Sequence, residues 1–175
     1  MLPIDWVASQ TLAELLEARG DLEGAKAVMD AAYGRQSLFL EPAAEPRMTV
    51  LVLATQSMGN IPYRHLMPPR LYSRLVWYME HARADQALPP YDVVLNAIGD
   101  PDLAGPSAAA VDRFLSNCPK PALNAPDRVA RTRRDRLPDL LADVEDAVAP
   151  KAVRLTAAAL GPARSGSPIA FNTTS

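Results

Sequence analysis

Apolar residues recur every three to four positions in the first 40 residues, which is the spacing of an amphipathic helix. The first such segment begins at Trp6 and stops at Gly20, and a second begins at Asp21, whose side chain suits a helix N-cap. Because the connection is short, we expect an antiparallel pair of helices over residues 6–39. The small residues expected at the close helix contact are Ala13, Ala25 and Ala32.

The hydrophobic pattern changes after a proline-rich linker at residues 42–46. The almost wholly apolar run Met48–Ala54 is typical of a strand buried on both faces. Two further strands are predicted at residues 74–82, where a short helix is the competing interpretation, and at residues 92–99. Shorter strands are expected to end at Asn124 and to lie at 150–156. A helix is predicted at 106–118, and a helical segment that is broken or kinked before Pro138 is predicted at 127–144. This alternation predicts an α/β fold with a small, Rossmann-like, mostly parallel sheet.

Polar residues follow three of the predicted strands, and ligands bind beyond the carboxyl ends of parallel strands. A loop over residues 57–60, a turn over 96–102 and Asn124 should therefore converge. The candidate substrate-binding residues are Gly59, Asn60, Asn96, Gly99, Asp100 and Asn124. The alternative is structural, because asparagine and glycine also fix turns, and Asp102 suits a cap of the following helix.

Composition narrows the class of partner. With 18 basic and 20 acidic residues in 175, the chain has no excess positive charge for nucleic acid. The arginines at 128–136 are interleaved with aspartates and lack aromatic neighbours, so we expect an exposed helix face and no nucleic-acid partner. No apolar run is long enough to span a membrane and no signal peptide is recognised, so we expect a cytoplasmic protein without a membrane partner.

No catalytic or metal-binding constellation is expected. Cys118 is the single cysteine, which excludes an intrachain disulfide, and its predicted place at a helix C-terminus disfavours a thiolate. His65 and His81 have no identifiable relay partner for catalysis in the sequence. No phosphate-binding or dinucleotide-binding glycine motif is present.

The segment GDLEGA (residues 20–25), within the helix pair, resembles part of a tetratricopeptide repeat. The departures are Ser9, where an aromatic residue is common, and Ser37, where the closing proline is expected. Such repeats bury their core by stacking, so a single repeat implies a partner that packs against it. On this interpretation Leu22 and Met29 would face a protein partner. The alternative is a helical hairpin that packs only on the following domain.

The later motifs resemble the N-terminal, substrate-side domain of ATP-grasp ligases, such as glutathione synthetase and the D-alanine–D-alanine ligase relatives. The ordered pattern consists of Asn96, Gly99, Asp100, Asn124, Pro126, Thr132, Arg134 and Asp135. The resemblance covers residues 48–155 and implies a ligase that joins a carboxylate to an amine through an acyl phosphate. The combination of such a domain with a preceding repeat resembles bacterial proteins.

The resemblance predicts three parts: a repeat-like hairpin at 6–40, an α/β domain at 47–156 and a disordered tail at 157–175. The ATP-binding core of the family has no counterpart here, so ATP and Mg²⁺ are expected only if that core is supplied elsewhere. We therefore expect a truncated, ligase-like chain that is not catalytic alone and that contacts a small carboxylate or amine. The alternatives are a non-catalytic protein-interaction module and a flavodoxin-like small-molecule-binding domain.

Overall fold

The structure is a computed structural model that describes residues 6–56 and 59–155. Its contacts group into two compact units, the first ending at Arg133 and the second beginning at Arg134, and each is described by itself. The tail predicted to be disordered, residues 157–175, lies outside the described residues. Both the helix pair and the sheet belong to the first unit.

The first unit opens with the predicted pair of helices, α1 (Trp6–Ala18) and α2 (Leu22–Tyr33). Gly20 takes the left-handed conformation, with φ of +80°, and so ends the first helix. The Asp21 side chain accepts a hydrogen bond from the Gly24 amide at 2.9 Å and caps the second helix as predicted. The three small residues expected at the close helix contact, Ala13, Ala25 and Ala32, are buried.

A five-stranded sheet follows, and it confirms the α/β prediction. Its strands are β1 (Leu38–Glu41), β2 (Met48–Ala54), β3 (Tyr72–Tyr78), β4 (Val93–Asn96) and β5 (Ala122–Leu123). The strand order is β1-β3-β2-β4-β5. Strands β2 to β5 are mutually parallel, and β1 pairs antiparallel with β3 at the edge.

Both faces of the sheet are buried, as the apolar run of β2 predicted. Alternate residues point to opposite faces, so Val50 and Val52 join one core cluster whereas Leu51 and Leu53 join the other. The first face packs against α2 and the short helix α3 (Tyr63–Leu66). The second face packs against α4 (Gly105–Leu115) and against the 3₁₀ turn Met79–His81 that follows β3.

Aromatic stacking attaches the helix pair to the sheet. The Tyr33 ring at the end of α2 stacks on the Tyr78 ring at the end of β3, with 3.9 Å between ring centroids. The Phe39 ring of β1 meets both rings edge-on, and Gln10 of α1 donates a hydrogen bond to the Tyr33 hydroxyl at 2.7 Å. Tyr33 is 1% exposed, so this contact supports the alternative in which the hairpin packs on the following domain.

Several local predictions are wrong. The strand β1 was expected to belong to the helical region, and a four-residue edge strand carries too little pattern to separate it from a helix end. The segment predicted as a strand at 74–82 is a strand only as far as Tyr78. By contrast, the helical segment predicted at 127–144 is broken before Pro138 as expected, into α5 (Pro126–Arg131) and α6 (Leu137–Leu141). Lys151–Leu155, expected to lie in a last strand, has no regular structure.

Candidate functional site

The carboxyl ends of the four parallel strands lie along one edge of the sheet. The central strand β2 is flanked by β3, which follows it in the chain, and by β4, which comes later. In open α/β sheets, a ligand crevice forms where the strand order reverses in this way. The edge therefore has two halves, one after β4 and β5 and the other after β2 and β3.

At the β4/β5 half, the two predicted asparagines bond to each other. The Asn96 Nδ2 donates to the Asn124 carbonyl at 3.0 Å, and the Asn124 Nδ2 donates to the Asn96 carbonyl at 2.8 Å. The Asn96 Oδ1 accepts a hydrogen bond from the Ile98 amide at 3.2 Å. Asn96 is 3% exposed, and Asn124 adopts a left-handed φ of +59°, a conformation that asparagine tolerates better than most residues. These amides hold two strand ends together.

The loops that leave β2 and β4 are also bonded to each other. The Gly59 carbonyl accepts hydrogen bonds from the amides of Gly99 at 2.9 Å and Asp100 at 3.3 Å. The Asn60 side chain is used within its own loop, where it bonds the Thr55 amide and carbonyl at 2.9 and 2.7 Å. The structure thus brings the six predicted residues to one edge, and ligand binding by them stays a prediction.

The contact between these two loops leaves no room for a side chain at Gly99. A Cβ atom added at Gly99 would lie 2.4 Å from the Ile61 Cγ2, so the glycine permits close approach of its own chain. The Asp100 Oδ1 accepts a hydrogen bond from the Asp102 amide at 3.0 Å. The capping role predicted for Asp102 is wrong, because α4 begins after Ala104 with no side-chain cap. The Asp102 carboxylate instead lies 3.9 Å from the Arg133 guanidinium.

At the β2/β3 half, a polar network surrounds Gln56. Its backbone amide donates to both carboxylate oxygens of Glu80, each at 3.2 Å, and the Thr55 hydroxyl also donates to that carboxylate. The Gln56 Nε2 donates to the Asp30 Oδ1 at 2.7 Å, and its Oε1 lies 2.8 Å from the His81 Nε2. His81 therefore has a hydrogen-bond partner, Gln56, that no sequence motif indicated.

The neighbours of Asp30 in this network stabilise its ionised form. The hydrogen bond from Gln56, followed by that from Lys26, lowers the pKa of Asp30 below its ordinary value. The same pairing with Asp30 raises the pKa of Lys26. The His81 Nε2 lies 3.5 Å from the Asp30 Oδ1, so a protonated His81 would add to the ion pair. At neutral pH, the Asp30 carboxylate is therefore ionised and accepts hydrogen bonds within the Gln56 network.

A cavity of about 640 Å³ opens beside the Gln56 network, between α2 and the ends of β2 and β3; we call it the α2 cavity. Its polar lining comprises Glu17, Lys26, Asp30, Gln56, Glu80 and His81, and its apolar lining comprises Leu22, Ala25 and Met29. Leu22 and Met29, predicted to face a protein partner, thus both line this cavity. Leu22 is 65% exposed, whereas Met29 is half-buried and packs on the sheet core.

Two further observations restrict the chemistry of the described residues. Within them, no three side chains of the metal-ligating types stand close enough together to hold an ion. Likewise, the described part of the chain contains no helix with the length and apolar character needed to cross a membrane. Cys118 is half-buried, with its Sγ 3.5 Å from the Tyr91 hydroxyl.

No family model, no curated protein and no solved structure matches the chain. The resemblances to ATP-grasp ligases and to a tetratricopeptide repeat therefore stay predictions. The contacts, charges and cavities of the described residues are the basis on which a function can be proposed.

Proposed function

We propose that this chain is a non-catalytic ligand-recognition module whose α2 cavity binds a small molecule with a primary amine. The observation that carries the proposal is the charge of the lining. Three carboxylates line the cavity against a single lysine: Glu17, Asp30 and Glu80 against Lys26. A protonated amine supplies three hydrogen-bond donors and the positive charge that this lining lacks.

Glu80 is the best-placed partner for the ammonium group. Backbone and hydroxyl donors orient its carboxylate, and no lysine, arginine or histidine among the described residues forms an ion pair with it. The apolar part of the ligand would pack against Ala25 and Met29 on α2. Fixed hydrogen bonds around the carboxylate favour binding because little ordering is left to complete.

Calorimetric titration of the full chain with butylamine tests this proposal, with butan-1-ol as the neutral probe of matching size. We expect saturable binding of the amine only. Glu80→Gln should weaken the binding about tenfold, since it replaces a charge-assisted pair by a neutral one. Glu14→Gln, at an exposed position of α1, is the matched control and should bind as the wild type does. Equal binding of the amine and the alcohol, or no effect of Glu80→Gln, would overturn the proposal.

We also propose that the chain is the substrate-side part of a ligase-like protein, as its resemblance to ATP-grasp ligases implies. The support is positional: the motif strands β4 and β5 are neighbours, and Asn96 and Asn124 bond across them. ATP and Mg²⁺ would then be bound by a separate core. Purified chain incubated with Mg·ATP should show no hydrolysis above the blank. Hydrolysis that disappears in Asn96→Ala and persists in Asn117→Ala would contradict this.

A third candidate function is protein docking through the helix pair. Leu12 and Leu15 lie three residues apart on α1 and are 47% and 59% exposed, so they form one apolar stripe. The occupant that fits such a stripe is the apolar face of a partner's amphipathic helix. Because Tyr33 is part of the core, deleting the whole hairpin would unfold the unit. The sharper test is the double variant Leu12→Ser/Leu15→Ser, which should abolish capture of a partner while leaving the thermal midpoint unchanged.

A further inference from the structure

Strand β1 forms one edge of the sheet, and on its side away from β3 no described strand pairs with it. An edge strand exposes N–H and C=O groups that can pair with a further strand. The strand at the opposite edge, β5, has only two residues and directly follows Pro121. Because β1 has four residues, it is the edge with more room for a partner strand.

The register between β1 and β3 identifies the backbone groups of β1 that point outward. The Ser37 carbonyl accepts a hydrogen bond at 2.9 Å from the amide of the last residue of β3, so these two residues form a hydrogen-bonded pair. In an antiparallel ladder such pairs recur at every second residue, so Phe39 and Glu41 also bond toward β3. The N–H and C=O groups of Leu38 and Leu40 therefore point away from the sheet.

One of these outward groups is already used. The Leu38 carbonyl accepts a hydrogen bond from the Gln36 Nε2 at 3.1 Å. The Leu38 amide and both backbone groups of Leu40 make no hydrogen bond within the part of the chain that the structure describes. The outward edge of β1 is therefore open at Leu40 and at the Leu38 N–H.

Pro42 follows the strand and continues the alternation. The Ala43 amide turns back toward β3 and donates to the Ser73 Oγ at 3.0 Å, which leaves the Pro42 carbonyl on the outward side. Proline has no N–H, so Pro42 can only accept a hydrogen bond there. The outward edge thus has donors on Leu38 and Leu40, and acceptors on Leu40 and Pro42.

This set of groups is complementary to itself. When two copies of β1 run antiparallel with Leu40 opposite Leu40, each Leu40 amide donates to the Leu40 carbonyl of the other copy. Each Leu38 amide then donates to the Pro42 carbonyl of the other copy. The bond that Pro42 cannot make would have gone to the Leu38 carbonyl, which Gln36 already satisfies. The open donors and acceptors of both edges are then all paired.

The side chains of β1 favour the same contact. Leu40 is 60% exposed, so the pairing covers an apolar side chain of each copy at its centre. Glu41, the charged residue of β1, forms ion pairs with Arg74 at 2.8 Å and with Arg64, so two copies bring together no unpaired like charges. Edge strands that stay single are commonly protected by an exposed charge such as that of lysine, and β1 carries none.

We propose that β1 binds the β1 strand of a second copy of this chain, across a two-fold axis at Leu40, so that one sheet continues through both copies. The same surface of each copy forms the contact, so the assembly closes as a dimer and does not extend into a fibre. None of the β1 residues lines the α2 cavity, so the pairing is independent of the proposed amine site.

Sedimentation velocity of the full chain tests this pairing. Since one strand pair is a small interface, we expect the wild type to pass from monomer to dimer between about 5 and about 500 µM. Leu40→Lys should stay monomeric over this range, because two ammonium groups would face each other across the axis. Its thermal midpoint at low concentration should match that of the wild type, because Leu40 is exposed. Leu123→Lys, at a 55% exposed position of β5, is the matched control and should dimerise as the wild type does.

An exchange of charges tests the register. Leu40→Glu alone should also be monomeric, whereas an equimolar mixture of Leu40→Lys and Leu40→Glu should dimerise, since opposite charges then lie across the axis. The proposal is overturned if the wild type stays monomeric at about 500 µM, if Leu40→Lys dimerises as the wild type does, or if the mixture stays monomeric. Loss of the dimer in Leu12→Ser/Leu15→Ser would overturn it as well, because association would then belong to α1.

Discussion

The two halves of the sheet's carboxyl edge use polar residues in opposite ways. After β4 and β5, the side chains of Asn96 and Asn124 bond to the chain itself, and the adjoining loops are tied through Gly59 and Gly99. After β2 and β3, Gln56 organises a network that lines the α2 cavity. The half after β4 and β5, which we call the closed half, uses its hydrogen bonds to hold strands together. The half after β2 and β3, which we call the open half, keeps charged groups at an open surface.

The difference shows that a polar residue at a strand end is not by itself a binding residue. Neutral amides can be satisfied fully by neighbouring backbone groups, so they suit closure of the edge. Carboxylates keep acceptor capacity after two or three hydrogen bonds, so they can take a ligand in addition. Glu80 and Asp30 belong to the second kind.

The largest effect is expected from Asn96→Ala, which removes the buried amide of the closed half. The Ile98 amide would lose its acceptor and the Asn124 carbonyl its donor. We expect a loss of about 3 kcal/mol in the free energy of unfolding, measured by urea denaturation. Asn117→Ala, at an exposed position just after α4, should change it by less than about 0.5 kcal/mol. Equal losses in both variants would show that the Asn96–Asn124 link is not structural.

A smaller loss is expected from Gly99→Ala. The added Cβ would lie 2.4 Å from the Ile61 Cγ2, a branched methyl group that cannot retreat without moving the side chain. We expect a cost of about 1–2 kcal/mol in the free energy of unfolding. Gly105→Ala is the matched control, because a Cβ there meets nothing within 4 Å and Gly105 is in α4, so about 0.5 kcal/mol of stabilisation is expected. If Gly99→Ala left the free energy of unfolding unchanged, the loops that follow β2 and β4 would not be tightly packed.

The smallest effect concerns Asp30 in the open half and depends on pH. Its pKa is lowered in the folded chain, first by Gln56 and then by Lys26. Its ionised form therefore stabilises the fold at neutral pH, and this contribution disappears as the pH falls through the folded pKa. The difference in urea midpoint between wild type and Asp30→Asn should shrink below about pH 4. Asp112→Asn, an exposed position of α4, serves as the control. A difference that stays constant down to about pH 2 would contradict the ion-pair role.

The closed half was largely predictable from the sequence, and the open half was not. The apolar run Met48–Ala54 predicted the central strand with its observed bounds, and strand ends in a parallel sheet must share an edge. The Gln56 network joins residues from α2, from the end of β2 and from the turn after β3. No local pattern relates Asp30 to His81, because they meet only when the hairpin packs on the sheet.

The edge strand β1 and the predicted Asp102 cap show that local sequence also limits the prediction of short elements. Strand β1 has four residues, too few for its alternation to be distinguished from the end of a helix. Asp102 has the residue type of a cap but lies two positions before Ala104, the residue that precedes α4. The type of residue predicts a helix cap only when its position relative to the first residue of the helix is also known.

Amide chemical shifts during a butylamine titration test the contrast between the two halves most directly. If the open half binds amines and the closed half is architecture, the backbone signals of Gln56, Glu80 and His81 will shift in a saturable manner. Those of Asn96, Gly99 and Asn124 will stay in place. Saturable shifts confined to Asn96, Gly99 and Asn124 would contradict the account and assign ligand binding to the closed half.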